Sequence, residues 1–203
     1  MKISDNSFSK EILNYLPPLS TYVAPPSKKN LVNLLENDFR IEKVSAESNF
    51  IDVKYLGTSF NSKKLNLLLK VSENIQRLDL SNIDLTSVNM SKLKGFKNIK
   101  YLNLSKTNLS GKNLDILPHN LELLIINSNP IKAPQLIKIA NNPFINKIFA
   151  YNTVNDEELE KSLSSETNNK LFFGMSLKDF SSLEGFPLEK PIIEANGIEV
   201  NPN

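Results

Sequence analysis

Aliphatic residues recur through the middle of the chain in one fixed order, and that recurrence constrains the fold more than any other feature. Ile75, Leu78, Leu80, Ile83 and Leu85 set the pattern, and Ile99, Leu102, Leu104, Thr107 and Leu109 repeat it. Leu121, Leu124, Ile126, Asn129 and Ile131 repeat it again. A looser fourth copy runs Ile145, Ile148, Ala150 and Thr153, with its last apolar residue one position early at Val154. The anchor residues Leu78, Leu102, Leu124 and Ile148 are separated by 24, 22 and 24 residues. Two apolar residues spaced two apart on a strand point to one side, and the residues beside them point to the other. Successive units of this length can stack their strands about 4.8 Å apart as a parallel sheet. Each unit then buries its aliphatic side chains against its neighbours, which a single unit cannot do alone.

This period and the template L-x-x-L-x-L-x-x-N/T-x-L are those of leucine-rich repeats. The expected fold is therefore α/β: a short leucine-rich-repeat solenoid with a parallel sheet of about four to six strands on its concave face and helical or irregular returns. The ninth template position turns the chain out of the strand, and a short polar side chain there satisfies the backbone. Thr107, Asn129 and Thr153 suit that position, whereas Ile83 does not. Returns are expected over 86–96, 111–118, 133–141 and 156–164. Pro118, Pro130, Pro134 and Pro143 should shorten or break some of them. Asn155 followed by Asp156, Glu157 and Glu158 resembles a capped helix start, with Leu159 and Leu163 on one side.

A stack of this kind has ends that need covering. Upstream, Ser27 is placed to cap a helix carrying Leu31, Leu34 and Leu35, two short strands follow at 40–45 and 50–55, and Lys63–Val71 reads as a helix. The organisation expected is a helix (Phe8–Tyr15) and proline-containing linker over 1–26, a capping region over 27–73, repeats over 74–174 and an extended tail over 175–203. Lys170–Phe173 is a candidate last strand.

The segments NLSKTNLSGKNLDIL and FAYNTVNDEEL resemble bacterial repeats of the form LxLxxTxVTDxxL. A proline-containing lead-in, a helix, the strands FRIEKV and NFIDVKY, the repeats and then GFPLEKPIIEANGIEV follow in an order that adds to the likeness. Together, over roughly residues 8–195, they resemble the leucine-rich region of bacterial membrane-anchored proteins that also carry a c-type cytochrome domain. The resemblance implies a piece or split-off relative of a larger extracytoplasmic, periplasmic protein; otherwise a cytoplasmic protein is expected. Covalent haem attachment needs C-x-x-C-H, and the chain has no cysteine, so any haem is bound elsewhere.

Composition narrows the chemistry. The net charge of +2 comes from 24 basic and 22 acidic residues scattered among one another, which argues against a nucleic-acid partner. The amino-terminal residues lack the apolar run of a signal peptide, and no stretch is long enough for membrane insertion by this chain. Six glycines form no phosphate-binding loop and no nucleophile elbow. The one histidine, His119, reads as a turn residue between Pro118 and Asn120. A hydrolase would need it gathered with a nucleophile and a carboxylate. The acids at 156–160 read as a helix start rather than a metal site. The expectation is a non-enzymatic module without cofactor or metal, contacting a protein partner. The alternative is an accessory region of a membrane-anchored c-type cytochrome protein.

The contact residues expected are the outward strand positions: Arg77 and Asp79, Tyr101 and Asn103, Leu123 and Ile125, Lys147 and Phe149, and then Tyr151. Half of this surface is polar. The other half would present Leu123, Ile125, Phe149 and Tyr151 as an apolar patch, either open to a partner or covered by the tail or a neighbouring domain.

Overall fold

The computed structural model describes residues 23–110, 114, 117–119, 121–153 and 171–172. The expected helix at Phe8–Tyr15, most of the return over 111–118, the capped helix start at Asn155 and the tail from residue 175 lie outside them. Among the described residues the elements run α1 (Lys28–Leu35), β1 (Phe39–Lys43), β2 (Ile51–Tyr55), α2 (Ser62–Leu69), β3 (Ile75–Asp79) and a 3₁₀ helix (Met90–Gly95). They continue with β4 (Tyr101–Asn103), β5 (Leu121–Ile125), α3 (Ala133–Ala140), β6 (Ile145–Phe149) and β7 (Leu171–Phe172). The chain is α/β, and the seven strands among the described residues form one sheet in sequence order. β1 pairs antiparallel with β2, and the other five pairings are parallel.

The caps explain where the helices begin. Ser27 accepts from Asn30 N at 3.3 Å, and Asn61 accepts from Lys63 N and Lys64 N at 3.0 and 3.1 Å. Each satisfies donors that the first helical turn leaves open. Pro134 does not break its return. It sits in the first turn of α3, where a missing N–H costs nothing, and Gln135 Oε1 accepts from Lys132 N at 3.2 Å.

Leu78, Leu80, Leu102, Leu104, Leu124 and Ile126 are each at most 1% exposed. They belong to one apolar cluster with Leu65 and Leu68 of α2, Leu93 and Phe96 at the 3₁₀ helix, Leu114, Leu117, and Leu136 and Ile139 of α3. The cluster also holds Leu34, Phe39, Ile51 and Val53, so the upstream elements share the core of the repeating segment. Burying each such side chain contributes about 1.5–3 kcal/mol.

The turns after the strands repeat as faithfully as the strands. Asn82, Lys106, Ser128 and Asn152 all have positive φ, at 62°, 54°, 55° and 53°. Their separations, 24, 22 and 24 residues, match those of the anchor leucines. The hydrogen-bonded ladder continues into these turns: Asn82 N, Lys106 N and Ser128 N donate to Ser105 O, Asn127 O and Tyr151 O at 2.8–2.9 Å. A left-handed residue is unfavourable in itself, and here Asn82, Lys106 and Ser128 are each held by a bond to the next turn.

The ninth position differs from unit to unit. Thr107 Oγ1 and Thr153 Oγ1 each donate to the carbonyl three residues back, at 2.7 and 2.6 Å. Asn129 does the same through Nδ2 to Ile126 O at 2.9 Å and reaches the preceding turn as well. Ile83, which breaks the polar rule, is simply buried at 4% exposure, adding an apolar contact where the others add a hydrogen bond.

Candidate binding face of the sheet

The alternation that turns Leu78, Leu102, Leu124 and Ile148 into the core turns their neighbours to the opposite side of the sheet. Strand register then assembles eight of the nine sequence-predicted residues into two rows. Arg77, Tyr101, Leu123 and Lys147 stand side by side on β3 to β6, and Asp79, Asn103, Ile125 and Phe149 form the second row. Tyr151 follows β6 and is 44% exposed.

The first row is wired together. Arg77 Nη1 donates to Asp52 Oδ2 at 3.0 Å, and the guanidinium lies 4.7 Å from the centre of the Tyr101 ring. Tyr101 Oη donates to Glu122 Oε2 at 3.0 Å, and Lys100 Nζ holds the other oxygen of Glu122 at 2.7 Å. Lys100 and then Tyr101 hold the Glu122 carboxyl below its ordinary range, against the opposing effect of burial. Burial pushes the Lys147 ammonium down, offset in part by the Glu122 charge.

One expectation needs correction. Asp79 and Asn103 are not free polar contacts: they are 6% and 3% exposed. Asp79 Oδ1 accepts from Ser81 N at 2.9 Å, and Asn103 Oδ1 accepts from Ser105 N at 3.0 Å and Ser105 Oγ at 2.8 Å. Each side chain therefore satisfies a backbone N–H in the turn that follows its strand. For the apolar patch, the burial agrees with the covered one of the two alternatives. Leu123, Ile125 and Phe149 are 3%, 3% and 0% exposed, so only Tyr151 of that group is open to solvent. All three lie outside the main apolar cluster. Leaving three such side chains on adjacent strands in water would forfeit about 1.5–3 kcal/mol each.

β1 and β2 contribute residues that the repeat pattern did not point to. Asp52 pairs in register with Arg77, and Lys54 with Asp79. Arg40, Glu42, Asp52, Lys54, Arg77, Asp79, Tyr101, Asn103, Leu123 and Ile125 all line one cavity of about 100 Å³ on this face. The signal was present in IDVKY, where Asp52 and Lys54 alternate around Val53 as Arg77 and Asp79 do around Leu78.

Burial pushes the Asp79 carboxyl above its ordinary value of 3.8, against the hydrogen bonds from Ser81 and the charge of Lys54. Burial likewise raises Asp52, against the pull of Arg77. A carboxyl whose pKa rises on folding binds its proton more tightly in the folded chain. Its stabilising contribution is fully present below the unfolded value and is lost as pH rises through the folded value. Asp79→Asn keeps an oxygen for Ser81 N and removes the charge. As pH rises from 3.8 toward neutrality, the variant should gain on the parent in urea midpoint, and a gap that stays constant would contradict the assignment.

His119 is not among the residues that line the cavity. It is exposed, and its ring meets Phe144 edge-on at 4.7 Å between centroids. Among the described residues no three histidine or acidic side chains gather as metal ligands, and no helix is long and apolar enough to cross a membrane. No protein-family model matches the chain, and no curated protein matches it in sequence.

Proposed function

We propose that this chain is a non-catalytic leucine-rich-repeat solenoid whose outward sheet face contacts a protein partner. The observation that carries the reading is the register of the sheet. It lines up Arg77, Tyr101 and Lys147, with the buried Leu123 between the last two, as one row beside a cavity, on the side turned away from the core. Rigid strands hold such side chains in place at little conformational cost, which favours recognition over chemistry that needs moving parts. The aromatic and guanidinium groups at Tyr101 and Arg77 are the residue types that most often dominate protein interfaces. Outward positions on a repeating frame also change without disturbing the core, so the frame suits binding whatever the partner.

A photoreactive phenylalanine analogue placed at Tyr101 or Tyr151 tests this in cells that make the chain. Each should trap the same protein on illumination. The same analogue at Leu56, which is 60% exposed but outside both rows, should trap none. Equal trapping at all three positions, or none at either tyrosine, would sink the proposal.

A further inference from the structure

The cavity on the sheet face has a polar end and an apolar end. Asp52 and Asp79 stand at one, Leu123 and Ile125 at the other, with Tyr101 and Asn103 between. The charges that line it are balanced. Arg77 meets Asp52 at 3.0 Å, Lys54 meets Asp79 at 3.7 Å and Arg40 meets Glu42 at 2.5 Å. Two acceptors remain unused. Asp52 Oδ1 and Asp79 Oδ2 are buried, and among the described residues neither accepts a hydrogen bond. The Asp79 side chain is only 8% exposed, and Lys54 Nζ at 3.7 Å is beyond hydrogen-bond reach of Oδ2. Its other oxygen is fixed by Ser81 N at 2.9 Å. A buried carboxylate oxygen without a donor is costly, and a donor brought from outside recovers that cost.

We propose that this cavity takes a primary ammonium group on a short alkyl stem, as a lysine side chain of the partner presents it. The inference rests on the reading of this face as a contact surface. The ammonium donates to Asp79 Oδ2 and Asp52 Oδ1, and the stem runs past Asn103 toward Ile125. Asp79 and Ile125 share a row two strands apart, which is about 10 Å. A compact ammonium suits two carboxylates that each offer one oxygen. A planar guanidinium instead favours both oxygens of a single carboxylate, and those are already divided here. Lys54 and Arg77 oppose an incoming cation, and the two carboxylates that they pair with attract it, so the lining charge sums to zero. The stem lies along the part of the cavity lined by Leu123 and Ile125.

The probe is n-pentylammonium, titrated into the full chain while the amide resonances of Ser81 and Asn103 are followed. Ser81 N reports on Asp79 directly through its hydrogen bond. Saturable shifts are expected. Pentan-1-ol has the stem without the charge and methylammonium the charge without the stem; each should bind at least about tenfold more weakly. Asp79→Asn should weaken pentylammonium by a similar factor, whereas Leu56→Ser, at an exposed position outside the cavity, should leave it unchanged. Pentanol binding as tightly as pentylammonium, an unaffected Asp79→Asn variant, or no saturable shift would each overturn the proposal. If trapping at Tyr101 persists after such a result, the contact face stands and the ammonium site alone falls. If pentylammonium binds at Asp79 but the tyrosine positions trap nothing, the site stands without the partner.

Discussion

Leu102→Asp should unfold the chain. Leu102 is 1% exposed and stands between Leu78 and Leu124 in the parallel register of β3, β4 and β5. Truncating a buried leucine alone costs about 2–5 kcal/mol. A carboxylate in the same place adds a desolvation penalty of several kcal/mol with no partner to offset it. Their sum is comparable to the roughly 5–15 kcal/mol that holds a typical domain folded. The strand also shares its hydrogen bonds with neighbours on both sides, so the damage should not stay local. Far-ultraviolet circular dichroism should show the loss at ambient temperature. Leu102→Met, close to volume-conserving, should cost less than about 1.5 kcal/mol and keep the spectrum. A Leu102→Asp chain as well folded as the parent would mean that this side chain is not an interior rung.

Asn129→Ala should be the most damaging of the polar substitutions. Asn129 is 3% exposed, and one amide group serves two successive turns. Its Nδ2 donates to Leu104 O at 2.7 Å and Ile126 O at 2.9 Å. Its Oδ1 accepts from Thr107 N at 3.0 Å and Leu109 N at 3.3 Å. Alanine strands these buried backbone groups, each worth about 1–3 kcal/mol when unsatisfied. Thr107 Oγ1 still reaches Leu104 O at 2.7 Å, so the losses overlap. A net cost of about 3–5 kcal/mol follows, read as a shift in urea midpoint. Asn129→Asp separates the roles, because it keeps the acceptor and loses both donors. It should also destabilise strongly, whereas a cost within about 0.5 kcal/mol for either variant would deny the bridge between the turns.

The core was legible because it obeys a short-range rule. The spacing of Leu78, Leu80, Leu102, Leu104, Leu124 and Ile126 fixes which way each side chain points, and parallel stacking follows from the repeat length. Ser27 was legible as a cap for the same reason. The rows of the outward face were legible too, since register carries the pattern from strand to strand. What those rows do was not. Whether Leu123, Ile125 and Phe149 meet water depends on what lies opposite them, and no local pattern encodes that. Asp79 and Asn103 looked like contact residues because their side chains are polar. Their role as turn acceptors appears only when each is read with the serine two positions on, in the paired segments DLS and NLS. Asp52 and Lys54 were missed because they fall in the upstream strands, and nothing in the repeat template places those strands in the same sheet. Pro134 misled in the opposite sense: proline ends a helix from its interior but begins one from its first turn.

Amide hydrogen exchange on the unmodified chain tests the stacked register most directly. Asn82, Lys106 and Ser128 lie in turns, where amides ordinarily exchange fast. Here their N–H groups bond to Ser105 O, Asn127 O and Tyr151 O, one unit further along. They should therefore exchange as slowly as Leu80, Leu104 and Ile126, whose N–H groups bond across to Asn103 O, Ile125 O and Phe149 O. Exchange of the three turn amides at the rate of free peptide, beside protected amides at Leu80, Leu104 and Ile126, would show that the units do not stack in this register.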